Sequence, residues 1–350
     1  MKNMSGDSGR PMGSASSESN PEKRLAASGL KVMLLAAGLG TRLRPLTLER
    51  AKPALPLLGR PVILRIVEKL LRYGCSAFRV NLHHLPHTVE RIFGRGSGRC
   101  LPVSFAFEPE ILGTAGGLKA NQSFFDQGTF LMVNGKIVME FPLDEAIAFH
   151  REQGALATLV LFPQQAPHRH WPIRIDDKGH LVGFKGSGSD GTPRPETYAF
   201  TGIHVLEPDI FEFIPPGVFY EINDKVYPDA IRRGLPICGF PVEGYWNDLS
   251  TPARYLEAQR DLLQFHAASP PCYVSPEARV AESAVVGPFA SVEDGCVLEV
   301  GSRVENSILW ENVRLETGSS VSGCIIGAGL TVTGHHIDKI ITLAGEAPIV

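Results

Sequence analysis

Leu35-Ala36-Ala37-Gly38-Leu39-Gly40-Thr41-Arg42-Leu43-Arg44-Pro45-Leu46-Thr47 decides the fold of this chain. The apolar run that leads into it, Leu30 to Leu35, has the composition of a strand buried on both faces. Glycines at 38 and 40 let backbone N–H groups crowd onto an anion, and Arg42, Arg44 and Lys52 supply the opposing charge. A strand feeding such a loop, with a helical pattern from about Val62, predicts a phosphate cradle on an α/β sheet. Two commoner phosphate motifs are excluded. Leu43 stands where the fingerprint G-x-G-x-x-G needs its third glycine, and no G-x-x-x-x-G-K-[ST] is present.

With 350 residues, the chain is expected to form two domains. A charged fraction of 20% and a net charge of −3 give no reason to expect nucleic acid or a membrane as partner. No apolar run approaches the roughly 20 residues of a membrane span. Residues 1–29 are rich in Ser, Gly, Pro and charge without an apolar centre, so a disordered leader and a cytoplasmic protein are expected. The cysteines at 75, 100, 238, 272, 296 and 324 lack C-x-x-C spacing and read as buried small apolar residues in a reducing compartment.

From 30 to 266, short apolar runs alternate with helical stretches (KVMLLAAG, VILRIVEKLLRYG, AFRVNLHH, TFLMVNGK), which predicts a mostly parallel sheet covered by helices. An amphipathic helix over 253–266 closes that domain. Over 272–334 the grammar changes. Val274, Val280, Val286, Val292, Leu298 and Val304 recur every six residues, the period is perturbed around NSILWEN (306–312), and it resumes near Leu315 and Val321. That repeat predicts a hexapeptide β-helix with a narrow core. Residues 335–350 read as a tail, and His335 and His336 as a satisfied surface pair.

GLGTRLRPLT (38–47) followed by KPALPLLGRPVI (52–63) resembles the sugar-1-phosphate nucleotidylyltransferases, above all their mannose-1-phosphate guanylyltransferase branch and its uridylyltransferase relatives. The resemblance runs through much of 30–265. It implies a Rossmann-like nucleotidyltransferase domain, followed by a left-handed β-helix of the kind that mediates assembly in several members. The implied reaction forms an NDP-sugar and pyrophosphate from an NTP and a sugar 1-phosphate, by in-line attack of a phosphate oxygen at the α-phosphorus. The protein's task is then to align two anions and neutralise their charge.

The same resemblance assigns residues. Leu35, Ala36, Ala37, Gly38, Gly40, Thr41 and Arg42 wrap the triphosphate, and Lys52 touches phosphate. EPEILGTAGGLKAN (108–121) carries the family's L-G-T-A-G segment, so Gly113, Thr114, Ala115 and Gly116 line the base site, their glycines admitting the ligand, with Glu108 at the rim. Asn81 matches a strand-end asparagine of the nucleotide site. YWNDLSTPARYLEA (245–258) matches W-x-D-[IV]-G-T-P with Ser250 in place of glycine. Asp248 becomes a metal carboxylate, and Ser250 or Thr251 caps the helix that follows.

At LMVNGKIVME (131–140) the family reads N-G-D, whose aspartate is the other metal ligand, but this chain has Lys136. An ammonium cannot ligate Mg²⁺, so the expected Mg²⁺ is weakened or absent. Lys136 then either takes over charge neutralisation beside Asn134 and Gly135, or leaves a site that binds a nucleotide sugar without making one. The family's F-x-E-K-P box is blurred in LVGFKGSGSDG (181–191), where Lys185 is offset. Asn134, Gly135, Lys185, Thr201, Gly202 and Glu221 are the candidate substrate contacts. The favoured expectation is an enzyme using GTP and mannose 1-phosphate or a similar sugar phosphate; the alternative is a catalytically silent regulatory homologue. Association is expected through the β-helix, as a homo-oligomer or with an active homologue.

Overall fold

The computed structural model describes residues 29–94, 100–163, 172–183, 197–266 and 269–349. Among them, seven strands build the central sheet: β1 (Lys31–Leu35), β2 (Ala77–Leu82), β3 (Val103–Phe107), β4 (Phe130–Asn134), β5 (Ala157–Pro163), β6 (Tyr198–Leu206) and β7 (Ile237–Pro241). Their order is β7-β5-β6-β4-β1-β2-β3. β1 is parallel to both β2 and β4, β2 to β3, and β5 to β7. β6 runs antiparallel to both its neighbours, so the sheet is mixed and Rossmann-like.

Alternation along β1 explains the layers. Val32 and Leu34 point into the core on one face, with Val62, Ile63, Ile66, Val67 and Leu70 of the helix Val62–Arg72. Met33 points the other way, into a second core with Ala115, Leu118, Phe130 and Tyr227. The chain leaves β1 toward β2 and β3, then returns to β1's other side as β4. That reversal is a topological switch point, where an open α/β sheet leaves a crevice at its carboxyl edge. Leu35 and Asn134 face each other there at the ends of β1 and β4.

The closing helix runs Pro252–Phe265, with Thr251 as its N-cap: the Thr251 hydroxyl accepts from the Arg254 N–H at 3.3 Å, and Pro252 occupies the first turn.

Beyond it the hexads form a parallel β-helix. Two-residue strands stack in three sheets, Tyr273 pairing with Ser291, Arg279 with Val297 and Val285 with Arg303. That first rung takes eighteen residues. The next pairs Ser291 with Ile308, seventeen residues on, because Asn306 turns the corner with a positive φ of 45° and one residue fewer. This is the perturbation visible at NSILWEN. The core of the stack is Val292, Leu298, Val304, Leu309, Leu315, Val321 and Ile326, all buried.

Two sequence readings are corrected here. The stack does not end at 334: His335–Ile337 pairs with Ser320–Ser322, Lys339–Thr342 with Ile325–Ile326, and Gly345–Pro348 folds back as a hairpin. Residues 335–348 therefore belong to the β-helix rather than to a tail; short irregular rungs had hidden the repeat. Cys100 is exposed and Cys272 half-buried, whereas the other four cysteines are buried as expected. Within the described residues no helix is long and apolar enough to cross a membrane.

The β-helix packs on the segment just after the glycine loop. Trp310 is fully buried in the core cluster that the sheet domain shares with Ile308, Ile325 and Ile340, with the Arg50 guanidinium 4.7 Å from its ring centre. Arg50 also makes a two-point ion pair with Glu311, at 2.9 and 2.8 Å. The Gly59 N–H donates to the Glu293 carboxylate, and Gln259 Nε2 to the carbonyls of Phe289 and Ser307.

Candidate active site

The glycine loop is shaped by two conditions. Gly40 holds a left-handed φ of 64°, and a Cβ there would lie 2.8 Å from Thr47 Cγ2 and 3.5 Å from Lys52 Cε. Glycine is thus required both by the backbone and by the side chains beneath it. Thr47 Oγ1 donates to the Gly40 carbonyl at 2.9 Å, and a ring nitrogen of His84 lies 2.6 Å from the Thr47 carbonyl oxygen. Gly38, Leu39, Thr41 and Arg42 face solvent above, while Lys52 lies underneath, 9% exposed. Lys52 thus sits directly beneath the Gly40 turn, within reach of the Arg42 charge.

β4 delivers the second wall. The Gly135 N–H donates to the Leu35 carbonyl at 2.9 Å, and a Cβ on Gly135 would meet that oxygen at 2.9 Å. Asn134 lies against Gly202, whose φ of 88° belongs to the irregular stretch of β6. After Lys136, Val138–Glu140 pairs antiparallel with Tyr245–Asn247, Val138 facing Asn247. Lys136 and Asp248 accordingly emerge at the same end of this ladder. Arg254 Nε lies 2.6 Å from Asp248 Oδ1, and the Ser250 hydroxyl donates to the same oxygen at 3.1 Å.

Electrostatics confirm one cluster. Burial first, then the charges of Lys136 and Arg42, hold the Lys52 ammonium down to about 8, against the pull of Asp248. Burial likewise lowers the Lys136 pKa, partly offset by Asp248 and reinforced by Arg42 and Arg254. A lysine whose folded pKa lies below its unfolded 10.5 destabilises the empty fold while charged, and that penalty disappears as pH rises from about 8 to 10.5. Denaturant melts at pH 7.5 and 10 are expected to show the wild type gaining about 1–3 kcal/mol relative to Lys52→Met over this range. Parallel pH profiles for the two proteins would contradict it.

Several residues assigned to ligand contact are spent on the protein itself. Asn81 is 3% exposed; its Oδ1 accepts from the Ala36 N–H at 2.8 Å and its Nδ2 donates to Glu108 at 2.7 Å. It anchors the start of the loop from behind. Glu108 is not at a rim but 3% exposed, and its other oxygen accepts from the Leu112 N–H. Thr201 is buried with its hydroxyl on the Val160 carbonyl, because the irregular stretch of β6 turns that side chain toward β5. Thr114 Oγ1 donates to Glu221 at 2.6 Å and accepts from the Ile222 N–H. The N–H groups of Ala115 and Gly116 donate to Tyr220. The glycines of L-G-T-A-G thus admit the chain's own segment: a Cβ on Gly116 would lie 2.5 Å from the Val218 carbonyl, one on Gly113 2.7 Å from that of Tyr220. Glu221 caps this turn. Lys185 lies outside the described residues.

Arg254 was missed by sequence reasoning, although a signal existed. An arginine in the first turn opposes the helix dipole, and helical side chains lean toward the N-terminus, here toward Asp248.

The sequence profile described as nucleotidyl transferase matches residues 31–264. The chain belongs to the sugar-1-phosphate nucleotidyltransferase family. A second profile, the GMPPB C-terminal domain, matches residues 268–348, which includes the strands beyond 334. A UTP–glucose-1-phosphate uridylyltransferase of Synechocystis sp. is 28% identical, over 91% of this chain and 95% of the relative. A mannose-1-phosphate guanylyltransferase of Mycobacterium tuberculosis is also 28% identical, over 86% of this chain and 84% of its own. Mannose-1-phosphate guanylyltransferase 1 of Arabidopsis thaliana is 25% identical over 91% of both. A solved Bacillus anthracis structure in complex with sucrose shares the fold, with a TM-score of 0.58 at 21% identity, covering 66% of this chain and 94% of that one.

Proposed function

We propose that this crevice binds an NTP and a sugar 1-phosphate and joins them with loss of pyrophosphate, GTP and mannose 1-phosphate being the favoured pair. The carrying observation is the convergence of Arg42, Lys52 and Lys136 around the Gly40 turn at the switch point. Cations held there oppose the charge that builds as the α-phosphorus is attacked. The guanylyltransferase relatives and the GMPPB-type C-terminal match favour guanine and mannose. The Synechocystis relative keeps uracil and glucose as the competing pair.

Mg²⁺ is the cofactor this family implies, and the donor set does not fit it. Asp248 is already ion-paired to Arg254, which also reaches Glu257 at 3.7 Å, and Lys136 stands at the other ligand position. A second reading follows from this same observation: a homologue that holds a nucleotide sugar without forming it. Pyrophosphate release with GTP or UTP and mannose or glucose 1-phosphate separates the two. Turnover by the native chain, fastest with GTP and mannose 1-phosphate, supports the enzyme. An inert native chain beside an active Lys136→Asp variant replaces it with the binder. Self-association, or pairing with an active homologue, would use the β-helix, whose first rung leaves Val274, Val280 and Val285 exposed.

A further inference from the structure

We propose that this site takes the diphosphate of a nucleotide sugar without any divalent cation, the Lys136 ammonium standing in the cation's place and Arg254 closing off the remaining carboxylate. The inference rests on the nucleotide-binding reading above and adds what neutralises the ligand.

Three observations carry it. The pairing of Val138 with Asn247 makes Lys136 and Asp248 leave a two-stranded ladder at the same end, close enough for the carboxylate's charge to act on the ammonium. Arg254 contacts Asp248 Oδ1 at 2.6 Å from the first turn of its helix, where an arginine is unfavourable unless an anion faces it. A divalent cation would have to break that ion pair and settle next to an ammonium. Finally, Arg42, Lys52, Lys136 and Arg254 gather around Asp248, and Arg254 also reaches Glu257 at 3.7 Å, so four cations stand against two described carboxylates. Such an excess of positive charge is suited to phosphate oxygens directly, through charge-assisted hydrogen bonds, rather than to phosphate already masked by a metal. Mg²⁺ needs near-octahedral oxygen ligands, and this cluster presents nitrogen donors that carry their protons.

Titration calorimetry on the full chain with GDP-mannose, and in parallel UDP-glucose, in excess Mg²⁺ and in EDTA, tests it. A dissociation constant that agrees within about twofold between the two conditions is expected for whichever nucleotide sugar binds. Lys136→Asp is expected to lose about tenfold or more in EDTA and to recover part of it with Mg²⁺. Should Lys136→Asp fail to fold, as judged by circular dichroism, Lys136→Met is expected to lose about tenfold in both conditions, without Mg²⁺ rescue. Wild-type binding that drops tenfold or more in EDTA overturns the inference while leaving the nucleotide-binding reading intact. No binding of either compound in either condition overturns both.

Discussion

Lys52→Met is expected to weaken GDP-mannose binding by about a hundredfold and, at pH 7, to stabilise the empty protein by about 1–3 kcal/mol. The two signs come from one geometry. Lys52 is buried beneath the Gly40 turn among cations, Arg42 and Lys136, so the unliganded fold bears the cost of a desolvated charge. A bound phosphate removes that cost by pairing with it. The methionine keeps the aliphatic stem that packs under Gly40, so packing changes little. Calorimetry and chemical denaturation on the same two proteins check both halves. A variant that binds normally places Lys52 outside the polyphosphate path. One that binds poorly and is also destabilised points to a structural lysine instead.

The difference between what the sequence announced and what packing decided is clearest around this lysine. Gly40, Lys52 and the hexads were legible because each depends on a local rule: a left-handed turn needs glycine, an anion needs cations, and a six-residue rung repeats its inward residue. The mostly parallel sheet followed too, since alternating strands and helices leave few topologies. What escaped were choices of partner. Asn81 and Thr201 have side chains suited either to a ligand or to a backbone group, and only the neighbouring strand determines which. Asn81 is claimed by Ala36 and Glu108, Thr201 by Val160. The L-G-T-A-G glycines signal close approach, but not what approaches; here it is Val218 to Ile222. Lys136 was visible as a departure. Its consequence became readable only when Arg254, six residues beyond Asp248, was found on the same carboxylate.

Trp310→Ala is expected to cost about 3–5 kcal/mol, a far larger loss than any single substitution in the first β-helix rung. Its indole is fully buried in the core that the sheet domain shares with Ile308, Ile325 and Ile340 of the β-helix, and Arg50 stacks on it while pairing with Glu311. Removing the ring leaves a cavity between the domains and deprives the Arg50 guanidinium of its stacking surface. Val280, 40% exposed, offers the contrast: Val280→Ala is expected to cost less than about 1 kcal/mol. The position of Trp310 makes the loss a functional one as well. Arg50 ends the four-residue helix Leu46–Glu49, whose Thr47 hydroxyl holds the Gly40 carbonyl, and Glu49 accepts from the Ala344 N–H of the β-helix. The turn that cradles phosphate is therefore braced from the repeat domain. Nucleotide-sugar binding by Trp310→Ala, measured at a temperature where circular dichroism shows the variant folded, is expected to fall several-fold. Unchanged affinity in a folded, destabilised variant would show that the β-helix props the sheet domain without tuning its loop.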